Sequence, residues 1–171
     1  MDAEQRQFLI ERHHGSIALH GYSPHALFWT SRGLQKIRFK VISEIGIAAG
    51  DSLLDVGCGF ADLQSWLLGH NIPVVYTGLD LSPEMISAAE KMHPKAVLLC
   101  GELFDFEFAP ASFDWLVLSG TLNWQLNDGG EYARRGNCAD VRVVSSWPCL
   151  QYAQRKLPEY AGTARSGGFR A

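Results

Sequence analysis

The chain has 171 residues, 47% of them hydrophobic and 19% charged, with a formal net charge of −3. That length supports one domain with a full core, and the composition excludes a disordered polymer. The small net charge gives no reason to expect nucleic acid or an anionic membrane as partner, and no apolar run approaches the ~18 residues of a membrane-spanning helix.

In chain order, residues 3–13 read as a short polar helix around Phe8, Leu9 and Ile10. His13-His14-Gly15-Ser16 and Gly21-Tyr22-Ser23-Pro24 read as loop. Apolar spacings of three and four predict a helix over about 33–46. The first strand is expected at 52–56, followed by a helix from about Ala61 to Leu68 that Asn71-Ile72-Pro73 ends. Val74 to Leu79 reads as the second strand. Ser82 then caps a helix with Pro83 at its first position and Glu84 in its first turn, running to about Met92. Third and fourth strands are expected at Ala96–Cys100 and Phe113–Leu118. Strands and helices alternating at this spacing mean βαβ units. Nearly continuous apolar strands mean a parallel sheet covered on both faces, with right-handed crossovers. The N-terminus, Met1-Asp2-Ala3-Glu4-Gln5, has no basic start or apolar stretch, and the four cysteines form no C-x-x-C pair. Free thiols and a cytoplasmic location are the expectation.

The chemistry sits where strands end. Leu53-Leu54-Asp55-Val56-Gly57-Cys58-Gly59 is a buried-strand pattern running into an acid and two glycines. Glycines there let the main chain turn tightly and approach a nucleotide-like ligand. Asp55 would repel a pyrophosphate at this point and attract an ammonium group. Asp80, 25 residues after Asp55, ends the second strand, where a carboxylate can accept from both hydroxyls of a ribose. Glu102 follows the third strand, where an acid can accept from an adenine amino group.

Leu53 to Ala61, Leu79 to Ala88 and Phe113 to Gly120 together resemble the strand motifs of class I S-adenosylmethionine-dependent methyltransferases, and Gly21 to Phe39 resembles the helical lead-in of bacterial members. The resemblance covers about residues 20–135. It implies a Rossmann-like α/β fold, S-adenosylmethionine as cofactor and methyl transfer to a small-molecule acceptor. It also implies that Asp55, Gly57 and Gly59, with Cys58 between them, line the methionine part of the donor. By the same resemblance Asp80 holds the ribose, Leu81 and Met85 meet the adenine, Glu102 with Leu103 reads it, and Ser119 and Thr121 face the sulfonium. Ala61 stands where the family usually has a third glycine. No residue is identified as a catalytic base, and no metal is implied. The upstream histidines His13, His14, His20 and His25 read as surface or capping residues, or as candidates for a general base toward an oxygen or nitrogen acceptor. Tyr22 and Trp29 read as core or lid packing, or as aromatic faces that close over the cationic donor, and Arg38 as a solvated residue or a partner for the donor carboxylate.

From Gly136 the character changes. Val141, Val143 and Val144 suggest one short strand, and no later strand pair is visible. The expected organisation is an extension over 1–20, a donor-binding α/β domain over 21–135, and an atypical tail over 136–171, disordered or read in a shifted frame. A missing second half would leave the fourth strand with an open edge and activity weak or absent. A donor-binding or partner-binding remnant without catalysis is the alternative. A nicotinamide oxidoreductase on a related fold is disfavoured by Asp55 and by Ala61. The acceptor and the oligomeric state are not written in the sequence.

Overall fold

The computed structural model describes residues 1–109 and 112–121, together with the backbones of 142–146 and 149–155. Helices α1 (Ala3–His20) and α2 (Arg32–Ser43) flank a 3-10 turn at Pro24–Leu27. Then follow β1 (Ser52–Val56), α3 (Asp62–Gly69), β2 (Val75–Asp80), α4 (Pro83–Met92), β3 (Val97–Cys100) and β4 (Trp115–Ser119). Two more strands, β5 (Arg142–Ser146) and β6 (Cys149–Arg155), complete a sheet of order β3-β2-β1-β4-β6-β5.

The first four strands are parallel, with Asp55 opposite Gly78 and Leu53 opposite Trp115. Side-chain alternation sorts the faces. Leu53, Tyr76 and Val117 pack with Phe39 and Ile42 of α2, Leu63 and Leu67 of α3, and Ile86 and Ala89 of α4. Leu54, Val56, Leu79 and Leu118 face the other way, against Leu103, Phe106, Phe108 and Phe113. The βαβ reading and the parallel sheet therefore hold, and the strand positions agree within about two residues.

Local chemistry explains the helix starts. Side chains of Asp2, Ser31 and Ser82 accept from the backbone amides of Gln5, Leu34 and Met85, three residues on. Pro83 occupies the first turn of α4, as its fixed φ allows.

Two expectations are corrected. The N-terminal helix does not stop at residue 13 but runs through Gly15 to His20. A mid-helix glycine costs about 1 kcal/mol, which Leu9 and Ser16, both buried, and Ile17, packed against Phe60 and Met85, offset. The edge of β4 is not open: β6 lies antiparallel along it, from Trp115 opposite Arg155 to Ser119 opposite Gln151. Strands β5 and β6 form the later pair that the sequence pattern hides. The remainder of 136–171 lies outside the described residues. No helix among the described residues is long and apolar enough to cross a membrane.

Candidate functional site

The carboxyl ends of β1, β2, β3 and β4 converge on one edge of the sheet. After β1, Gly57 and Gly59 take positive φ of 76° and 55°, a conformation side chains disfavour. The amides of Gly57 and Cys58 both donate to the carbonyl of Leu79, at 2.7 and 2.9 Å, so the turn is pinned to β2. Side chains lie close over both glycines: Leu27 above Gly59, and Thr121, whose hydroxyl donates to the carbonyl of Val56 at 2.6 Å, above Gly57. Ala61 also sits at positive φ, 58°, with no exposed surface.

Asp55 and Asp80 occupy the same face by alternation and are both buried. Asp55 accepts from the Tyr76 hydroxyl at 2.7 Å. Burial pushes its carboxyl up to about 7, the tyrosine hydrogen bond opposes the rise, and Asp80 and Asp62 add to it. Asp80 accepts from the amides of Gly59 and Ser82, each at 2.9 Å. Its carboxyl is also raised by burial, against the pull of those amides and of His13. Neither acid has an ion-pair partner among the described residues.

The end of β3 is different. Glu102 Oε1 and Asp105 Oδ1 each accept from the Arg6 guanidinium at 2.7 Å, and the Met1 amine stands 3.6 Å from Glu102 Oε2. The guanidinium holds the Asp105 carboxyl below its usual range.

Buried polar atoms without a hydrogen bond are uncommon and invite explanation. Six occur among the described residues, and three belong to elements that meet this edge: His13 Nδ1 on α1, Glu102 Oε2 after β3 and Ser119 Oγ at the end of β4. A ligand of hydroxyls, amines and positive charge matches that edge.

The other sequence-identified residues fall as follows. Cys58 is buried, with its thiol directed at the carbonyl of Gly59. Leu81 is half-buried, and its carbonyl faces the Cys100 thiol. Met85 has no exposed surface and packs with Ala26, Phe60 and Ala88, beneath the edge. Leu103 packs on the opposite sheet face. Arg38 lies over the Trp29 ring at 4.5 Å, and its Nη1 is buried without a hydrogen bond. Tyr22 meets Phe60 edge-on at 5.6 Å. His14 pairs with Glu84, and His25 Nδ1 with the carbonyl of Trp29. No group of three or more histidines, cysteines or acids among the described residues is arranged to hold a metal.

Sequence reasoning missed Arg6, Leu27 and Tyr76, and weighed His13 only as a general base for the acceptor or a surface residue. Only Tyr76 carried a signal: two positions before Gly78, the register partner of Asp55, it shares that face.

Residues 54–135 match the family model described as a methyltransferase domain. The match stops one residue before Gly136. An uncharacterized methyltransferase of Schizosaccharomyces pombe is 32% identical over 106 residues, covering 57% of this chain and 40% of that protein. A trans-aconitate 2-methyltransferase of Mycobacterium tuberculosis is 30% identical over 86 residues, covering 50% and 32%. The chain thus matches less than half the length of these relatives. Among solved structures, one described as a candidate S-adenosyl-L-methionine-dependent methyltransferase from Methanococcus maripaludis shares the fold. Its TM-score is 0.50 at 12% identity, covering 74% of this chain and 86% of that one. A complex of the Haloferax volcanii Trm112 methyltransferase activator with a candidate methyltransferase also scores 0.50, at 14% identity, covering 85% and 93%.

Proposed function

We propose that this chain, a class I S-adenosylmethionine-dependent methyltransferase, binds its donor along the carboxyl edge of β1 to β4 and passes the methyl group to a small-molecule acceptor. The observation that carries this reading is a pair of buried carboxylates, Asp55 and Asp80, without a cationic partner of their own among the described residues. Such a pair favours a ligand that brings positive charge and disfavours a pyrophosphate. S-adenosylmethionine carries an ammonium and a sulfonium, and when bound supplies a methyl group already activated for displacement.

The protein's task is then to bind, orient and exclude water. Asp80 retains lone pairs beyond the two amides it accepts from, and these suit ribose hydroxyls. Glu102 Oε2 suits the adenine amino group, with Arg6 fixing the other oxygen. The backbone of Gly57 to Gly59 suits the methionine portion, with Leu27 shifting to admit it. Ser119 Oγ, buried without a hydrogen bond, suits the acceptor side. Arg38 Nη1 suits a carboxylate, that of the donor or of an acid acceptor.

Titration calorimetry of the full chain with S-adenosylmethionine, S-adenosylhomocysteine and NAD tests the reading. Micromolar uptake of the first two without NAD supports it, and NAD binding alone overturns it. A second reading, donor binding without turnover, is favoured by one observation. The family match ends at residue 135, and beyond it β6 runs antiparallel on β4. Donor binding with no methyl transfer to any member of a broad acceptor panel would select that reading.

A further inference from the structure

Helix α1 meets the site at two strand ends. Arg6 binds Glu102 after β3, and His13, two turns further along, lies close enough to Asp80 at the end of β2 to act on its charge. Seven residues separate Arg6 from His13, two turns of helix, so both lie on one stripe with buried Leu9 and Ser16. The helix is anchored independently through Ile17 against Phe60 and Met85, and through His14 to Glu84.

Three facts single out His13. Its Nδ1 is buried and makes no hydrogen bond. Its ring is braced against Phe28 at 5.5 Å between centroids, which fixes its direction. It influences the Asp80 carboxyl through space, yet no hydrogen bond or ion pair joins the two. Asp80 in turn accepts one amide on each oxygen, leaving acceptor capacity and no donor. A hydroxyl has one proton to give and lone pairs to offer, so it needs an acceptor on one side and a donor on the other. An imidazole and a carboxylate at the same edge can supply both.

Resting on the donor reading above, we propose that His13 is a donor-positioning residue that completes, with Asp80, a two-sided seat for a ribose hydroxyl. Helix α1 is then a wall of the donor site, and its Arg6 contact to Glu102 sets its register against the adenine end.

The test compares S-adenosylhomocysteine with its 2′,3′-dideoxy analogue by calorimetry. The proteins are the full chain, His13→Ala and His13→Gln, each checked by thermal unfolding. His13→Ala should bind the ribose form about tenfold more weakly. For the dideoxy form the loss should shrink to within about threefold, because the lost hydrogen bond is no longer available to either protein. His13→Gln, which keeps a donor, should recover part of the affinity, and it carries the comparison alone if His13→Ala fails to fold. An equal loss for both ligands means that His13 only packs α1 in place, and overturns the proposal. Unchanged or tighter binding of the ribose form by His13→Ala overturns it as well. A parent chain that takes up neither ligand overturns both this proposal and the donor reading. A parent chain that binds, with His13→Ala unmoved, removes this one alone.

Discussion

The ends of β2 and β3 carry an acid each, and the chain treats the two differently. Asp80 is buried, held by backbone amides, without an ion pair, and its carboxyl is pushed up. Glu102 shares an arginine with Asp105, at a lip where the Asp105 carboxyl is pulled down. The β2 end therefore keeps a buried carboxyl that forms no ion pair among the described residues. The β3 end is already satisfied by α1, apart from one oxygen. An incoming hydroxyl finds free acceptor lone pairs at the first end, and an amino group finds one remaining oxygen at the second.

The strongest way to break this contrast is at Asp80. Asp80→Ala removes a doubly used carboxylate and should lower S-adenosylhomocysteine affinity on the order of a hundredfold, read by calorimetry. It should also destabilise the Gly57–Gly59 turn by about 2 kcal/mol, because the Gly59 amide loses its partner.

Asp55 comes next. The folded chain keeps its proton up to about pH 7. An unfolded aspartate releases it near ~4, so the folded state binds more protons across that window. Stability is thus full below pH ~4, falls as pH climbs towards about 7 and is level above. Asp55→Asn, which still accepts from Tyr76, should flatten this profile. At pH 8 it should raise stability by on the order of 2–4 kcal/mol, measured by urea unfolding at several pH values. It should also remove a rise in S-adenosylmethionine affinity between pH 5 and pH 8, since only the ionised acid attracts a cation. An unchanged pH profile in Asp55→Asn would show that the acid is compensated after all.

The glycine turn is a smaller test. Gly59→Ala places a methyl group 2.5 Å from Leu27 Cδ2 at a φ of 55°. Strain and collision together should cost about 1–3 kcal/mol in thermal unfolding. The least effect is expected at the satisfied end. Arg6 is one-third exposed, so Arg6→Ala should cost under about 1 kcal/mol of stability, and less in high salt. Donor affinity should fall only about threefold, as Glu102 keeps its place through the Asp105 turn.

Much of this frame was legible because each parallel strand is a short, nearly unbroken apolar run ending in turn chemistry. Leu53 to Gly59 and Val75 to Ser82 announce themselves locally. Helix α1 was half-hidden, since His13, His14 and Gly15 are poor helix formers and the packing of Leu9 and Ile17 that rescues them is long-range. Arg6 on Glu102 bridges 96 positions, and no local pattern foretells such a pairing. Strand β6 was missed because Gln151 and Gln154 interrupt its apolar residues, leaving no run to notice. The glycines were read as making room for a ligand. In this structure the same room is taken by Leu27 and Thr121, a use that also requires the missing Cβ.

On the proposed methyl transfer, the unpaired acids at the β1–β2 end bear on turnover. Once the methyl group leaves, the sulfur of the spent molecule is a neutral thioether, and the attraction that drew the reactant in is weakened. The by-product should therefore dissociate more readily than the reagent it came from, and accumulation of spent material should slow the protein less than its shared adenosine contacts alone would suggest.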